Sequence, residues 1–275
     1  MLVDLVTSDN EDALIRSFCA GFELEKWRCT HFANHLLEWV PDYALKEDEL
    51  RVSHGNMFVR MNEAVARVYR SEHYEKRGEV GEICLHAICR DFFDTIPLAP
   101  RIFYKTASND VVKSFDMVHI KYNTEDSFEI WLGEAKIYED GLDAVSAAIS
   151  SIRAHIDQGF LNREKLLLGG QIYPSIPRYD EVRRILSRQS SLDALFAAAV
   201  FPICIACDSA AAAGSKSASA EYIEGVTKEI SLLTAALKRS KLSSMIRLIL
   251  IYVPLGSKKN LLAAFDRKLK ALQDD

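Results

Sequence analysis

Two acids and a lysine, placed at strand spacing, are the residues of this sequence best suited to chemistry. Asp116 lies in the run Ser114-Phe-Asp-Met-Val-His-Ile120, and Glu134-Ala135-Lys136 closes the run Phe128-Glu-Ile-Trp-Leu-Gly-Glu-Ala-Lys136, its glutamate 18 residues after the aspartate. Both runs read as strands of a hairpin joined by a polar turn. Side chains alternate along a strand, so Ile130, Leu132, Glu134 and Lys136 share one face, the apolar pair under a covering element and the charged pair at its rim. Either charge buried alone is costly, so each needs the other, a metal or water. Phosphodiester hydrolysis requires charge neutralisation on the phosphate and a nucleophile formed at neutral pH. A hard divalent cation supplies both, and carboxylate oxygens are its natural ligands. On this reading Asp116 and Glu134 grip a metal with help from the Ala135 carbonyl, and Lys136 offers positive charge to the attacking water or a phosphate oxygen.

A helix must bring the remaining acid to this hairpin. In Arg77-Gly-Glu-Val-Gly-Glu-Ile-Cys-Leu-His-Ala-Ile-Cys-Arg90, the residues Val80, Ile83, Cys84, Ala87 and Ile88 form a buried helical stripe, and Glu79, Glu82 and His86 fall together on its neighbouring edge. Glu82, or Glu79 one turn earlier, completes the ligand shell or positions a second ion. The bland alternative is a pair of solvated acids at a helix start, where they suit the positive end of the dipole. His119 points away from Asp116 on a regular strand and reads as structural. Lys105 and Lys113 flank the site as phosphate contacts or as plain surface lysines.

The other elements read as follows. Asp9 to Trp39 is helical, with Asp9 or Asn10 as cap and Leu14, Ile15, Phe18 and Cys19 on one side. Its His31 and His35, four apart, lack a third metal ligand and read as ordinary helix histidines. Met57 to Glu75 is a further helix, which makes 1–76 an N-terminal helical accessory region. Residues 77–275 form the catalytic domain with a C-terminal α/β extension. Arg101 to Lys105 is a short strand, and Leu142 to Ile156 and Tyr179 to Ala199 are helical, the latter in two pieces. Phe201 to Cys207 and Arg247 to Val253 are continuous apolar runs, hence central strands covered on both faces. Glu221 to Lys238 and Leu261 to Leu272 are helices, and the Ala/Ser-rich stretch from Asp208 to Ala220 reads as a mobile loop. Cys204 and Cys207 have redox or zinc spacing, but on a buried strand they face opposite ways, so core packing is the better reading.

Composition agrees with an α/β protein: 275 residues, 49% hydrophobic and 27% charged, argue against disorder. No signal-like segment opens the sequence, and its longest nearly uncharged apolar run falls short of the roughly 20 residues that span a bilayer. With six cysteines scattered in apolar surroundings, a reduced cytoplasmic setting is expected. The net charge is −5, which leaves little general attraction for nucleic acid. The charge is uneven: 1–75 hold 14 acids and 8 bases, whereas 215–275 hold 11 bases and 6 acids. Lys258, Lys259, Arg267, Lys268 and Lys270 form either a phosphate-contacting face or a solvated one. No glycine-rich phosphate loop or nucleophile elbow competes with the carboxylate site.

The order helix glutamate, strand aspartate, Glu-x-Lys resembles the PD-(D/E)xK nuclease superfamily over Arg77 to about Cys207. That resemblance implies a restriction-endonuclease-like core, a mixed central sheet flanked by helices, with Glu82 or Glu79, Asp116, Glu134 and Lys136 as the site. Asp116 follows Phe where the superfamily commonly has Pro. More narrowly, Gly78-Glu-x-Gly-Glu-x-x-Leu85, Asp116-x-Val-His119 and Leu132-Gly-Glu-x-Lys-x-Tyr138 resemble the HamA family, the effectors of Hachiman antiphage defence. The resemblance implies a Mg²⁺-dependent DNase, with Mn²⁺ as a substitute, held by a superfamily-2 helicase, HamB, and released on aberrant DNA. A net-acidic nuclease needs such a partner to present its substrate. The competing expectations are a nuclease subunit of a restriction or repair complex and a catalytically silent helicase-binding module.

Overall fold

The computed structural model describes residues 1–9, 13–46, 49–68, 78–98, 115–124 and 127–272. Its strands are β1 (Val3–Asp9), β2 (Leu14–Cys19), β3 (Phe22–Glu23), β4 (Lys26–Trp27), β5 (Ile96–Pro97), β6 (Met117–Thr124), β7 (Ser127–Tyr138), β8 (Ala199–Asp208) and β9 (Leu248–Leu255). Its helices are α1 (Cys29–Glu38), α2 (Val40–Ala44), α3 (Met57–Val68), α4 (Glu79–Phe93), α5 (Gly141–His155), α6 (Gln158–Gly169), α7 (Tyr179–Ile185), α8 (Leu192–Ala198), α9 (Ala210–Gly214), α10 (Ala220–Arg239) and α11 (Lys258–Ala271).

Seven strands form one mixed sheet in the order β1-β2-β9-β8-β7-β6-β5. The three central pairings, β2 with β9, β9 with β8 and β8 with β7, are parallel, and both margins are antiparallel. Every residue of β9 is buried, and all of β8 except its last residue. That is why both read as unbroken apolar runs: helices cover the two faces of a parallel centre, and no side of the strand meets water. On one face Ile130, Leu132, Ile203 and Leu250 pack with Val145, Ile152, Val226 and Leu233 of α5 and α10. On the other, Trp131, Ala135, Cys204 and Ile251 pack with Leu36, Ile83, Leu85 and Phe265 of α1, α4 and α11. Cys204 and Cys207 therefore lie in opposite cores, as their strand spacing requires.

Three readings of the chain are corrected. Residues 14–19 are not helical but form β2, which pairs antiparallel with β1 and extends the sheet beside β9. Ile15 and Cys19 enter one core and Phe18 the other. A strand buried on both faces scatters its apolar residues through every helical position, so periodicity misassigns it. The Ala/Ser-rich stretch holds a short helix, α9, capped by Ser209, whose hydroxyl also meets Glu229 at 2.7 Å. Helix α6 was not anticipated; Asp157 caps its start. The strand expected at Arg101 to Lys105, with Lys105 and Lys113, lies outside the described residues.

Candidate active site

The hairpin sets the site. Gly133 pairs with Met117 in the antiparallel β6–β7 register, which places Asp116, just before β6, beside Glu134. The Asp116 amide donates to the Gly133 carbonyl at 2.9 Å, and Asp116 Oδ2 in turn accepts from the Ala135 amide at 3.0 Å. A carboxylate held by a backbone amide is fixed in direction, not merely in position. Asp116 thus reaches the backbone between Glu134 and Lys136, and its charge is felt at the Lys136 ammonium.

Glu134 is buried at 2% exposure, deeper than the rim position expected of it. Its Oε1 accepts from Lys136 Nζ at 2.5 Å. Its Oε2 is buried and makes no hydrogen bond among the described residues, with His155 Nδ1 standing 3.5 Å away. Burial by itself would lower the Lys136 pKa. The charge and hydrogen bond of Glu134, with further charge from Asp116 and Tyr138, outweigh it and hold the ammonium above the ordinary lysine value. The site therefore keeps a full positive charge beside its acids.

His155 is the residue that sequence reasoning missed. It ends α5, whose stripe Val145, Ala148 and Ile152 packs over β7, and it arrives above Glu134 from that helix. Its ring stacks on Phe160 at 4.8 Å and meets Phe115 edge-on at 4.6 Å. Its place three residues after Ile152 was the available signal, since i and i+3 share a helix face.

Glu82 approaches from the opposite side of the sheet. Helix α4 lies on the face of Gly133, Ala135 and Ile137: a side chain at Gly81 would touch Ile137 and Ala135 at 3.5 to 3.7 Å. Glu82 is buried and accepts from the Tyr43 hydroxyl at 2.5 Å. Tyr43 and Asp116 line the same small cavity, so the glutamate stands behind one tyrosine from the hairpin site. Glu79, at the first turn of α4, is only partly buried. Among the described residues no three His, Cys, Asp or Glu side chains form a group that could hold a metal ion. The backbone ties Asp116 to the Glu134–Lys136 strand, and Glu82 lies on α4 behind Tyr43.

The histidines sort as chemistry predicts. His31 and His35 each face an acid of their own, Glu23 at 3.4 Å and Glu38 at 3.5 Å. His119 lines the same small cavity as Asp116 and belongs to a buried chain: Thr95 Oγ1 to His119 Nδ1 at 2.8 Å, His119 Nε2 to His86 Nδ1 at 3.0 Å, and His86 Nε2 to Asp42 Oδ1 at 2.7 Å. Arg90 closes that chain on Asp42 at 3.0 Å. Burial, then the charges of His86 and Arg90, hold His119 well below the usual histidine range. Burial pushes Asp42 up, but His86 and then Arg90 more than offset it, so its carboxyl sits below the ordinary aspartate value.

A mixed sheet covered by helices, with an aspartate leading into one strand and a Glu-x-Lys on its antiparallel neighbour, is consistent with a restriction-endonuclease-like core. Comparison with known families narrows the class: the HamA family model matches residues 2–269, and the chain belongs to that family. It is also 23% identical over 171 residues to anti-bacteriophage protein A of Escherichia coli K12, an alignment covering 54% of this chain and 31% of that protein. The chain thus matches about a third of that relative's length. No described helix is long and apolar enough to cross a membrane.

Proposed function

We propose that this protein is a metal-dependent DNA endonuclease that serves as an antiphage effector, held by a helicase partner and released when aberrant DNA is sensed. The observation that supports the reading is the Asp116 carboxylate tied to the Ala135 amide, beside the Glu134–Lys136 ion pair. The donor set fits a hard cation: two carboxylates, a backbone carbonyl at Ala135, and a buried glutamate oxygen, Glu134 Oε2, that makes no hydrogen bond among the described residues. Asp116, Glu134 and the Ala135 carbonyl would hold Mg²⁺ or Mn²⁺, and Glu82, held by the Tyr43 hydroxyl, stands outside that set. Such an ion neutralises phosphate charge and lowers the pKa of a bound water.

The chain's own residues do the rest. Lys136 Nζ remains protonated and donates to a non-bridging phosphate oxygen, where negative charge grows as water attacks phosphorus and the strand's oxygen leaves. The Ala135 amide keeps Asp116 Oδ2 aimed at the site, so the acid pays no ordering cost at the moment of reaction. The net charge of −5 supports a partner that delivers the DNA, because unassisted phosphate attraction is weak. Membership in the HamA family and the name of the E. coli relative support the defence role.

The test is plasmid and oligonucleotide cleavage by the wild-type chain and by a Glu134→Ala/Lys136→Ala double variant, with and without Mg²⁺. Removing a charge-stabilising group of this kind costs about 10² to 10³ in rate, and we expect at least that loss with melting preserved. Full activity in the double variant ends the nuclease reading. Binding of a helicase without Mg²⁺-dependent cleavage of any nucleic acid would instead assign a silent interaction module. Recurrent cut sites, if mapped, would assign a restriction or repair enzyme.

A further inference from the structure

Two cavities meet beside the hairpin site and share a wall. The smaller, about 20 Å³, is lined by Asp116, Tyr43 and His86. The larger, about 210 Å³, reaches Arg90 and Ser175. Asp42, Leu45, Pro97 and Tyr173 line both. The larger volume, about 210 Å³, is below the roughly 300–1,000 Å³ of sites for drug-sized ligands. It suits one flat ring system rather than a whole nucleotide or cofactor.

Its chemistry divides the way a nucleobase does. Tyr173, half-buried, and Pro97 supply flat and apolar surface for a ring face. Asp42 and Arg90 supply an acceptor and donors side by side on one wall, for a ring edge. Their orientation is set in advance: Arg90 Nε donates to Asp42 Oδ1 at 3.0 Å, Arg90 Nη1 to the Thr95 carbonyl at 2.9 Å, and His86 Nε2 stands 2.7 Å from Asp42 Oδ1. Asp42 Oδ2 lies 3.5 Å from Arg90 Nη2, a long contact that leaves this oxygen able to accept from a base amino group. Unstacked bases are characteristically recognised by an aromatic platform plus edge contacts. A base inside a duplex cannot enter such a site, because its faces are stacked and its edge is paired.

We propose that this cavity receives one unpaired nucleobase of the strand whose phosphate is cut at Asp116 and Glu134, which makes single-stranded or frayed DNA the substrate class. The proposal rests on the nuclease reading above, and it names the feature of DNA that the site selects.

The experiment is an abasic scan on the full chain. Single-stranded oligonucleotides carrying one abasic site, shifted a position at a time across a fixed cut, are compared with the intact strand and with a blunt duplex in Mg²⁺. Loss of one base–aromatic stack weakens binding by about tenfold or more. We expect such a rise in KM at one position only, and a similar preference for single strand over duplex. Tyr173→Ala should lose both effects, and Tyr173→Trp should retain them. The scan itself uses the unaltered chain, so it decides even where Tyr173→Ala does not fold. A flat scan by an active enzyme overturns the base pocket and leaves the nuclease reading intact. If the wild-type chain cuts nothing, the nuclease reading falls, and fluorescence of a 2-aminopurine strand decides the pocket. Quenching that vanishes in Tyr173→Ala supports it, and its absence overturns it.

Discussion

At the scale of single residues, position matters more than identity. An acid at 134 and a lysine at 136 are each ordinary. Their value comes from the neighbouring Asp116, whose Oδ2 is tied to the Ala135 amide between them. His155 belongs to the same group. It stands over Glu134 Oε2 from a different helix, both side chains being 2% exposed. Groups in this outer position orient a ligating carboxylate, and their removal typically costs 10–100-fold in metal affinity or activity. We expect His155→Ala to raise the Mg²⁺ concentration for half-maximal cleavage by about ten- to a hundredfold. A metal titration of cleavage rate, with circular dichroism to verify folding, checks it; an unchanged half-saturation point would make the histidine a packing residue only.

At the scale of elements, the site depends on how closely α4 approaches β7. Gly133 permits that approach: a Cβ there would lie 2.8 Å from Leu85 Cδ2 and 3.1 Å from two carbons of Met117. Leu85 is fully buried and Met117 nearly so, so neither can swing away. Overpacking of this kind costs about 1–3 kcal/mol. We expect Gly133→Ala to lower the melting temperature by several degrees, since about 2–4 °C is lost per kcal/mol in a domain of this size. Cleavage should fall further than stability, because the shift moves Glu82 and Tyr43 as well. Thermal melts and kcat measured on the same preparation separate the two effects.

At the scale of the whole molecule, the chain Thr95–His119–His86–Asp42–Arg90 ties β6, α4 and α2 together under the sheet. The groups facing His119 are His86 and Thr95, with Arg90 and Asp42 one step further. His119 is held neutral, well below its ordinary pKa of 6.5, first by burial and then by the charges of His86 and Arg90. A histidine with a depressed folded pKa binds fewer protons folded than unfolded. Its contribution is fully present above the unfolded value of 6.5 and is lost progressively as pH falls from there through the depressed folded value. We expect stability from urea unfolding to drop steadily below about pH 6.5, and the slope to shrink in His119→Asn. A pH profile unchanged by that substitution would count against the assignment.

Much of this protein was legible before folding was considered. The apolar runs around Ile203 and Ile251 announced central strands covered on both faces, and the alternation of Ile130, Leu132, Glu134 and Lys136 announced the face of the candidate site, because strand pleat forces period two on any half-buried edge. The stripe Val80, Ile83, Cys84, Ala87 and Ile88 likewise marked α4. Three matters lay beyond local pattern. Phe18 and Cys19 belong to opposite cores, and only the pairing of β2 with β9 shows that their run is a strand. His155 meets Glu134 because α5 packs over β7; its place three residues after Ile152 marks the buried face but does not name Glu134 as the neighbour. The cavity behind Asp116 exists only between α2, α4, β5 and the segment at Tyr173. Local pattern determines which face of an element is apolar. Tertiary packing alone decides which distant groups share the space between elements.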